Sequence, residues 1–417
     1  MSRAALPQKY LKSTGTQIAD FEDYANWIAA WGSKAEDPDH FLTGTKSIKI
    51  YRSTGSTGLY KTWATPVPIS DVGIIMLGVY LHTDLVTTVG QMELGISNLD
   101  SDSNRIKCAI VGANGTRSIL RQGMWMYLLF HASDFVAEGS GVSWATIYAN
   151  GIKRIRITIS TQTADTETAI SLDDLRISTQ GLPRLCIGFD DGYLNDIGGL
   201  TACDYMNARG IIGTQYVISS RVGLPGDHLS LAQLQALYAQ GWAISNHTAT
   251  HDSWVAGELT QAQYEAEIST CTDYLVANGM PRAAHHFAYP GGLYNASMAA
   301  AIISQNIITG RKALDFYQYL LPAGSNLYCL NARLCGRLIA LATIKGWIDR
   351  AMQIGTSLFL VFHGIVTTPT LDTQTSIANF CALIDYVAAK KIPCVTIDEW
   401  YNGMTDPRYK SALLNRA

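Results

Sequence analysis

The chain has 417 residues, of which 47% are hydrophobic and 16% are charged. This composition is typical of a folded globular protein and excludes an intrinsically disordered one. The formal net charge of -3, without any Lys- or Arg-rich run, indicates neither a nucleic-acid partner nor a membrane-surface partner. The length exceeds what one ordinary core fills, so we expect two domains.

Neither export nor covalent cross-linking is indicated by the sequence. The first ten residues lack the apolar segment of a signal peptide, and no run of about 18 apolar residues occurs. We therefore expect neither Sec export nor membrane insertion. The eight cysteines form no CxxC pair and mostly lie in apolar stretches, which favours reduced core thiols over a zinc cluster or disulfides.

After a tail of residues 1–17, residues 18–180 have the pattern of short β-strands separated by turns. Strands are predicted at 46–51, 72–82, 91–98 and 152–159. In the last of these, apolar and polar residues alternate, so one face is buried and the other is solvated. The pattern predicts a β-sandwich without a helix of any length, and turn-forming residues at 178–183 mark its end.

From residue 181 to residue 417, apolar strands alternate with helices. Thr260 and Gln263 fit a capping box, and Gly241 fits a helix stop. This alternation predicts a parallel sheet that closes, fully or in part, into a (β/α) barrel. The predicted strands are 185–189, 213–218, 243–245, 358–362 and 394–397, and the predicted helices are 229–240, 260–278, 296–305, 339–353 and 376–390.

Two groups of polar residues follow strands of the second half, where an α/β barrel places its active site. Asp190 and Asp191 end the first strand, and adjacent side chains on extended backbone point in different directions, so one can bind a metal while the other faces a water. His247 and His251 would face the same way on one helical turn and could share a divalent ion. With Asp191 they make a set of two histidines and one carboxylate. A solvated turn and a pair of surface histidines are the alternatives.

Two further clusters occur later in the chain. Residues 287–292 (FAYPGG) end a strand in a rigid proline turn, whose glycines let the backbone approach a ligand and whose N–H could stabilise an oxyanion. His363 follows the apolar strand at 358–362 and is either catalytic or a hydrogen-bonded structural residue. Each cluster is weak evidence alone, and their joint occurrence is what indicates an active site.

In this order, the four clusters resemble the motifs of the polysaccharide deacetylase family, also called NodB-homology or carbohydrate esterase family 4. The resemblance spans residues 182–400 and implies a distorted (β/α) barrel with a catalytic Zn²⁺ or another divalent transition metal. The resemblance implies that Asp190 is the general base, that His363 is the general acid and that Gly291 is the oxyanion donor. It implies as metal ligands Asp191, His247 and His251. It implies as substrate-binding residues Tyr289, Pro290 and Gly292.

One position departs from the family pattern. The third motif of the family usually opens with an arginine that pairs with the catalytic carboxylate, and this chain has Ala288 there. Without that cation, the pKa and position of Asp190 depend on other groups. The form Phe-Ala-Tyr-Pro resembles the branch acting on poly-N-acetylglucosamine-type polymers, so Ala288 does not indicate an inactive enzyme. The residues that could replace the arginine are Arg311, Lys312, Arg333 and Arg337.

The first domain resembles, more loosely, jelly-roll carbohydrate-binding modules. Its FED segment at 21–23 and its LDDL segment at 172–175 match the strands with which such modules begin and end. In those modules the acids often hold a structural Ca²⁺, because carboxylate oxygens suit that ion. The resemblance therefore implies a calcium site at Glu22, Asp173 and Asp174, with exposed turn acids as the alternative.

The sequence thus predicts a metal-dependent hydrolase that removes acetyl groups from an acetylated polysaccharide. A chain without an export signal that joins a β-sandwich to such a domain fits a phage or prophage tail enzyme acting on bacterial capsule or surface glycan. Its expected location is the virion or the extracellular space after lysis, alternatively the cytoplasm, with a homo-oligomer or tail assembly as partner. The competing hypotheses are a glycan-binding or virion-structural protein with an inactive barrel, and a barrel glycosidase, which needs two carboxylates flanking the glycosidic bond.

Overall fold

The structure is a computed structural model whose contacts divide the chain into two compact units, one up to residue 178 and the other from residue 183 onward. The predicted tail at 1–17 and the predicted boundary at 178–183 fall largely outside the described residues. No helix in the described part is long and apolar enough to cross a bilayer. The structure describes residues 16–52, 56–69, 74–82, 89–111, 125–161, 168–178, 183–225, 227–251, 254, 259–293, 295–313 and 327–405.

The first unit is a sandwich of two six-stranded antiparallel sheets, as predicted. Its strands are β1 (Thr16–Ala19), β2 (Trp27–Trp31), β3 (Ser33–Asp37), β4 (Ser47–Arg52), β5 (Thr57–Val67), β6 (Ile74–Leu81), β7 (Val89–Ser97), β8 (Arg105–Val111), β9 (Trp125–His131), β10 (Val136–Glu138), β11 (Ile152–Thr161) and β12 (Thr168–Ser178). One sheet has the order β3-β4-β12-β6-β9, with β1 beside β12, and the other has the order β10-β8-β7-β11-β5-β2.

Both sheets contribute to one apolar core, which explains the alternating sequence pattern. In β11, Ile155, Ile157 and Ile159 are buried, whereas Arg154 and Arg156 between them are partly exposed. The inward residues pack against apolar side chains of the other sheet in a single cluster. The helix α1 (Trp144–Asn150), which has a capping box at Ser143 and Thr146, is only seven residues long, in line with the expectation of no long helix.

The second unit is a closed barrel of seven parallel strands, which confirms the predicted barrel. The strands are β13 (Arg184–Phe189), β14 (Thr214–Val217), β15 (Ala243–Asn246), β16 (His286–Ala288), β17 (Thr309–Ala313), β18 (Leu330–Leu334) and β19 (Ser357–Phe362). β13 pairs with both β14 and β19 and so closes the barrel. Every residue of β13 and of β19 is buried, because such strands are covered on both faces.

Helices surround this barrel, and those described lie close to the predicted positions except the first and the last, which were not predicted. They are α2 (Ala202–Asn207), α3 (Leu231–Ala239), α4 (Gln261–Ala277), α5 (Ala296–Ser304), α6 (Leu341–Ile354), α7 (Ile377–Ala389) and α8 (Ile397–Thr405). The predicted capping box at Thr260 and Gln263 is present at the start of α4. Gly241 follows the end of α3 with φ of 100°, a backbone conformation that favours glycine.

The strands of the second unit differ from the sequence prediction in two places. The segment 394–397 is not a barrel strand, because Cys394 makes only an isolated bridge to Leu185 before α8 begins. β17 and β18 were not predicted, since polar residues such as Arg311 and Arg333 interrupt their apolar pattern. Within the described residues, no disulfide joins any of the eight cysteines.

Candidate metal centre and active site

Asp190 and Asp191 lie directly after β13, where the carboxyl ends of the barrel strands meet. The amide of Asp190 still donates to the Phe362 carbonyl of the neighbouring strand at 2.9 Å, whereas Asp191 already has a φ of 67°. This change of backbone conformation sends the two carboxylates apart, as the sequence indicated. Asp190 faces Arg311, and Asp191 faces the two histidines after β15.

His247 and His251 converge, although not on a helix as expected. The segment after β15 is a tight turn with positive φ at Thr248 (72°) and at His251 (65°). The Asn246 side chain accepts from the Thr248 amide at 2.8 Å, and the Thr248 hydroxyl accepts from the His251 amide at 2.9 Å. These bonds fold the turn so that the two imidazole centroids lie 5.0 Å apart. The prediction of a shared helical face was wrong, and the prediction of convergence was right.

The turn is held by α4. The buried Asn246 amide donates to the Ile268 carbonyl at 2.8 Å and to the Thr272 hydroxyl at 2.9 Å. Both the oxygen and the nitrogen of the Asn246 side chain therefore have hydrogen-bond partners. Burial of this side chain leaves none of its polar atoms unsatisfied. The position of the histidine pair is therefore determined by the packing of β15 against α4.

The three side chains Asp191, His247 and His251 fit a divalent metal ion. Asp191 Oδ1 lies 3.5 Å from His247 Nε2 and 3.7 Å from His251 Nε2. These separations are too long for good hydrogen bonds and close to the ligand spacing of about 3.3 Å that tetrahedral zinc sets. Asp191 Oδ1 is buried and has no hydrogen-bond partner among the described residues. A buried carboxylate oxygen without a donor is what a cation would satisfy.

The orientation of His247 also suits a metal ligand. Its Nδ1 lies 2.9 Å from the Ala288 carbonyl, which can only accept, so Nδ1 carries the proton and the Nε2 lone pair points toward Asp191. Burial lowers the pKa of His247, but the charges of Asp190 and Asp191 raise it by more, and the net pKa is above the ordinary value. Protons and a metal ion therefore compete for this ring.

Asp190 is buried and forms an ion pair with Arg311. The Arg311 guanidinium, 1% exposed, donates to Asp190 Oδ1 and lies over the Tyr216 ring at 4.2 Å. Burial raises the pKa of Asp190, whereas the charge of Arg311 and then those of His247 and His363 lower it, and the net pKa is below the ordinary value. Asp190 is thus held in its ionised form.

Arg311 is the residue that stands in for the family arginine missing at Ala288. It lies on β17, directly opposite Ala288 in the parallel register of β16 and β17. The other candidates are engaged elsewhere: Arg337 pairs with Asp372 at 2.6 Å, and Arg333 lies over the Trp347 ring at 4.2 Å. Lys312 follows Arg311 on the same strand, so its side chain points to the opposite face.

His363 directly follows β19, and its ring lies beside the Asp190 carboxylate oxygen that Arg311 does not contact. Its Nε2 lies 3.8 Å from Asp190 Oδ2, and its side chain is 17% exposed. Its Nδ1 is buried and has no hydrogen-bond partner among the described residues. The structure therefore places a partly accessible imidazole beside the carboxylate that Arg311 contacts. A catalytic role of His363, rather than a purely structural one, requires such a position.

Asn195 is a functional candidate that sequence reasoning missed. Its side-chain amide donates to the His363 carbonyl at 3.0 Å, and its side-chain oxygen accepts from the Ile365 amide at 2.7 Å. Asn195 therefore clamps the backbone on both sides of Gly364 and fixes where His363 stands. No local motif marks Asn195; only its positive φ of 52° sets it apart, and a sequence does not reveal that.

The proline turn lies after β16, with its residues in different environments. Gly291 is exposed and has φ of 59° and ψ of 11°, in the left-handed region that glycine tolerates. Pro290 is buried, and Gly292 is partly exposed. The hydrogen bonds inside the turn use the Gly292 and Leu293 amides. A role of the Gly291 amide as oxyanion donor, and of Pro290 and Gly292 in substrate binding, stays a prediction.

Tyr289 does not lie where a substrate could contact its ring. The side chain is 1% exposed, packs against Trp254 and Phe287, and donates from its hydroxyl to the Tyr328 carbonyl at 2.8 Å. The predicted substrate contact of Tyr289 is therefore wrong for the side chain. Tyr289 supports the proline turn from the core.

The predicted calcium site at Glu22, Asp173 and Asp174 stays a prediction, and in the structure these carboxylates accept hydrogen bonds from protein groups. Asp173 accepts from the amides of Leu42 and Thr43 at 2.6 and 2.9 Å, and burial raises its pKa to about 7. Asp174 pairs with Arg176 at 2.7 Å. Glu22 instead accepts from the amides of Thr45 and Lys46, at 2.7 and 3.0 Å.

One family model matches part of the second unit. Residues 179–307 match the family model described as polysaccharide deacetylase, which confirms the predicted resemblance. This segment contains Asp190, Asp191, His247, His251 and Gly291, whereas His363 lies beyond it. No curated protein matches the chain.

Solved structures similar to the chain include proteins of two kinds. A family 4 carbohydrate esterase from Streptomyces lividans in complex with acetate is 16% identical over 51% of this chain and 88% of its own, with a TM-score of 0.32. A peptidoglycan deacetylase from Bacillus subtilis is 14% identical over 57% and 97%, with a TM-score of 0.34. A family 11 carbohydrate-binding module from Clostridium thermocellum, in complex with a mixed-linked tetrasaccharide, is 11% identical over 39% and 93%, with a TM-score of 0.27. At such low identity and similarity, these structures add nothing to what the family match shows.

Proposed function

We propose that this chain, whose second unit carries a polysaccharide deacetylase domain, hydrolyses acetyl groups of an acetylated polysaccharide in a metal-dependent reaction. The observation that carries the proposal is the convergence of Asp191, His247 and His251 beside the ion pair of Asp190 and Arg311. A hydrolase of this kind needs a set of metal ligands with open positions and an ionised base next to it.

The ligands Asp191, His247 and His251 suit Zn²⁺, which favours imidazole nitrogen and carboxylate oxygen in sets of three. A metal bound there would supply Lewis acidity toward the acetyl carbonyl and would lower the pKa of a bound water. The buried Asp191 oxygen that lacks a donor supports this assignment.

The other residues hold and move protons. Asp190, kept ionised by Arg311, accepts the proton of the attacking water. His363, on the other side of the Asp190 carboxylate, gives a proton to the departing amine or alcohol. The Gly291 amide, on the exposed proline turn, stabilises the oxyanion of the tetrahedral intermediate.

The ionised state of both aspartates favours a deacetylase over a barrel glycosidase. A glycosidase requires one protonated carboxylic acid, whose pKa is raised, to protonate the leaving oxygen. Burial raises the pKa of Asp191 as it does that of Asp190, but the hydrogen bond and charge of His247 and the charges of His363 and His251 together lower it by more. The net pKa of each aspartate is below the ordinary value. Neither carboxylate can therefore act as that acid at neutral pH. Placement in a phage tail acting on capsule remains a hypothesis that rests on the sequence alone.

Acetate release from a panel of acetylated glycans, with and without a chelator, tests the proposed function. The wild-type chain should release acetate without shortening the polymer, and the chelator should abolish the release until Zn²⁺ is restored. His247→Ala should lower activity at least about 100-fold, since it removes a ligand. His131→Gln, in the first unit, is a matched control that should keep full activity. Shortened chains without acetate would instead support the glycosidase.

A further inference from the structure

The first unit contains a second cluster of two histidines and one aspartate, made by Asp37, His40 and His82. Asp37 ends β3, His40 follows three residues later, and His82 comes directly after β6. His40 Nδ1 lies 3.1 Å from Asp37 Oδ1, and His82 Nε2 lies 3.1 Å from Asp37 Oδ2. One ligand atom from each residue lies within 4.8 Å of the other two.

We propose that Asp37, His40 and His82 bind a second divalent transition-metal ion, separate from the deacetylase site. Two imidazoles and one carboxylate form a donor set that zinc and related ions prefer over Ca²⁺ or Mg²⁺. The 3.1 Å contacts are hydrogen bonds in the structure. Because this length is close to the ligand spacing of about 3.3 Å expected around tetrahedral zinc, a divalent ion can take the place of the shared protons. The proposal depends on side chains of the first unit only and does not rest on the proposed function.

The surroundings of the cluster provide both support and access. The His40 and His82 rings meet edge to face at 4.7 Å, and Tyr80 packs against both, at 4.2 and 4.9 Å. Asp37 is 6% exposed, whereas His40 and His82 are 22% and 14% exposed. The carboxylate is thus fixed in the protein while the imidazoles border solvent, so an ion can enter and a water can complete its coordination.

The sheet itself fixes the position of these ligands. Asp37 pairs with Ser47 on β4, and the His82 amide donates to the Ala169 carbonyl of β12 at 3.1 Å. The amides of Asp39 and His40 donate to Asp37 Oδ1, which anchors the carboxylate. Asp37 at the end of β3 and His82 directly after β6 are held by one sheet, so these two ligands need little rearrangement on binding, which favours affinity.

The alternative of a Ser-His-Asp hydrolase triad fails on geometry. The Ser171 hydroxyl lies 2.7 Å from His82 Nε2 and donates to Asp37, so serine and aspartate contact the same ring nitrogen. A triad needs the aspartate on the opposite ring nitrogen from the serine. Ser171 is also fully buried, so its hydroxyl cannot reach a substrate. In the metal site, the Ser171 hydroxyl instead holds the Asp37 carboxylate in place.

Metal content of the full-length chain, measured after equilibration with micromolar free Zn²⁺ and gel filtration, tests the proposal. The wild type should retain two zinc ions per chain. His40→Ala/His82→Ala and His247→Ala/His251→Ala should each retain one, and His131→Gln should retain two. A wild type with one zinc ion that survives in His40→Ala/His82→Ala overturns the proposal. A single ion lost only in that variant would instead contradict the metal in the proposed function.

Co²⁺ binding tests the proposal with Asp37, His40 and His82 unchanged. The result therefore does not depend on whether variants of these three residues fold. In His247→Ala/His251→Ala, Co²⁺ should give visible d–d absorption of a low-symmetry site with nitrogen and oxygen ligands. Zn²⁺ should also raise the thermal midpoint of this variant, since a ligand that binds only the folded state stabilises it. Absence of the absorption, with an unchanged midpoint, would show that the cluster is only a hydrogen-bond network.

Discussion

Arg311 lies opposite Ala288 across the parallel pairing of β16 and β17, and its guanidinium donates to Asp190, which directly follows β13. The cation that the family pattern places on one strand is thus supplied here by the next strand, at the same level of the barrel. Because paired residues on neighbouring parallel strands point to the same face of the sheet, Arg311 lies on the face that position 288 occupies.

Replacing Arg311 should change the pH dependence of the reaction. Arg311→Met removes the largest charge that lowers the pKa of Asp190, while the burial that raises this pKa stays. The base must be ionised to act, so the acidic limb of kcat/KM against pH should move to higher pH. Arg311→Lys keeps the charge and should move the limb less.

The same substitution should lower stability. Loss of one partner from a buried ion pair leaves the other charge unpaired, which costs about 3–5 kcal/mol. Thermal or denaturant unfolding of Arg311→Met should show this loss at neutral pH, and Arg311→Lys should recover part of it. An acidic limb that stays in place in a folded Arg311→Met protein would show that Arg311 does not set the ionisation of Asp190.

The sequence predicted the elements of this site better than their local geometry. The barrel, the sandwich and the convergence of Asp191 with both histidines follow from strand patterns and from the rule that active sites lie at the carboxyl ends of barrel strands. The positive φ at Thr248 and His251, which replaces the expected helix, depends on the tertiary contacts of Asn246 with α4. Such contacts between distant residues leave no local periodicity to recognise.

Sequence alone also did not identify the partner of Asp190 or the partners of the acids in the first unit. Arg311 could not be chosen over Arg333 from sequence, because strand register decides which cation faces the carboxylate. Asp173 and Asp174 matched a calcium pattern, yet hydrogen bonds from distant amides and from Arg176 occupy them. In both cases the residue type was informative, and its partner was determined by the fold.

Acidification should release the catalytic metal. His247 must lose its proton to bind a cation, and the two neighbouring aspartates raise its pKa above the ordinary value, so protons compete already under mildly acidic conditions. In a His40→Ala/His82→Ala background, which removes the other cluster, zinc content and acetate release should fall together as the pH is lowered. Both should return on neutralisation with added Zn²⁺. Activity that falls while zinc stays bound would assign the acidic limb to another group.

Asn195 should act as a positioning residue for His363. Asn195→Asp keeps an oxygen that accepts from the Ile365 amide and loses the donor to the His363 carbonyl. A lost buried hydrogen bond costs about 1–3 kcal/mol, so kcat should fall by roughly 10-fold with little change in KM or zinc content. Asn195→Gly, which tolerates the φ of 52° but lacks both bonds, should lose more. A change confined to the thermal midpoint would indicate a structural role only.

Loss of His363 should lower kcat more when the leaving group is poorer. Its Nε2, 3.8 Å from Asp190 Oδ2, is placed to deliver a proton to a departing amine or sugar alcohol, which leaves poorly without one. A nitrophenolate leaves readily unprotonated and does not need that acid. His363→Asn should therefore lower kcat on an acetylated glycan by about 100-fold or more while affecting hydrolysis of 4-nitrophenyl acetate far less. Zinc content should stay unchanged, since His363 is not one of the proposed metal ligands. Equal losses on both substrates would mean that His363 acts before the leaving group departs, as a support for Asp190 rather than as the acid.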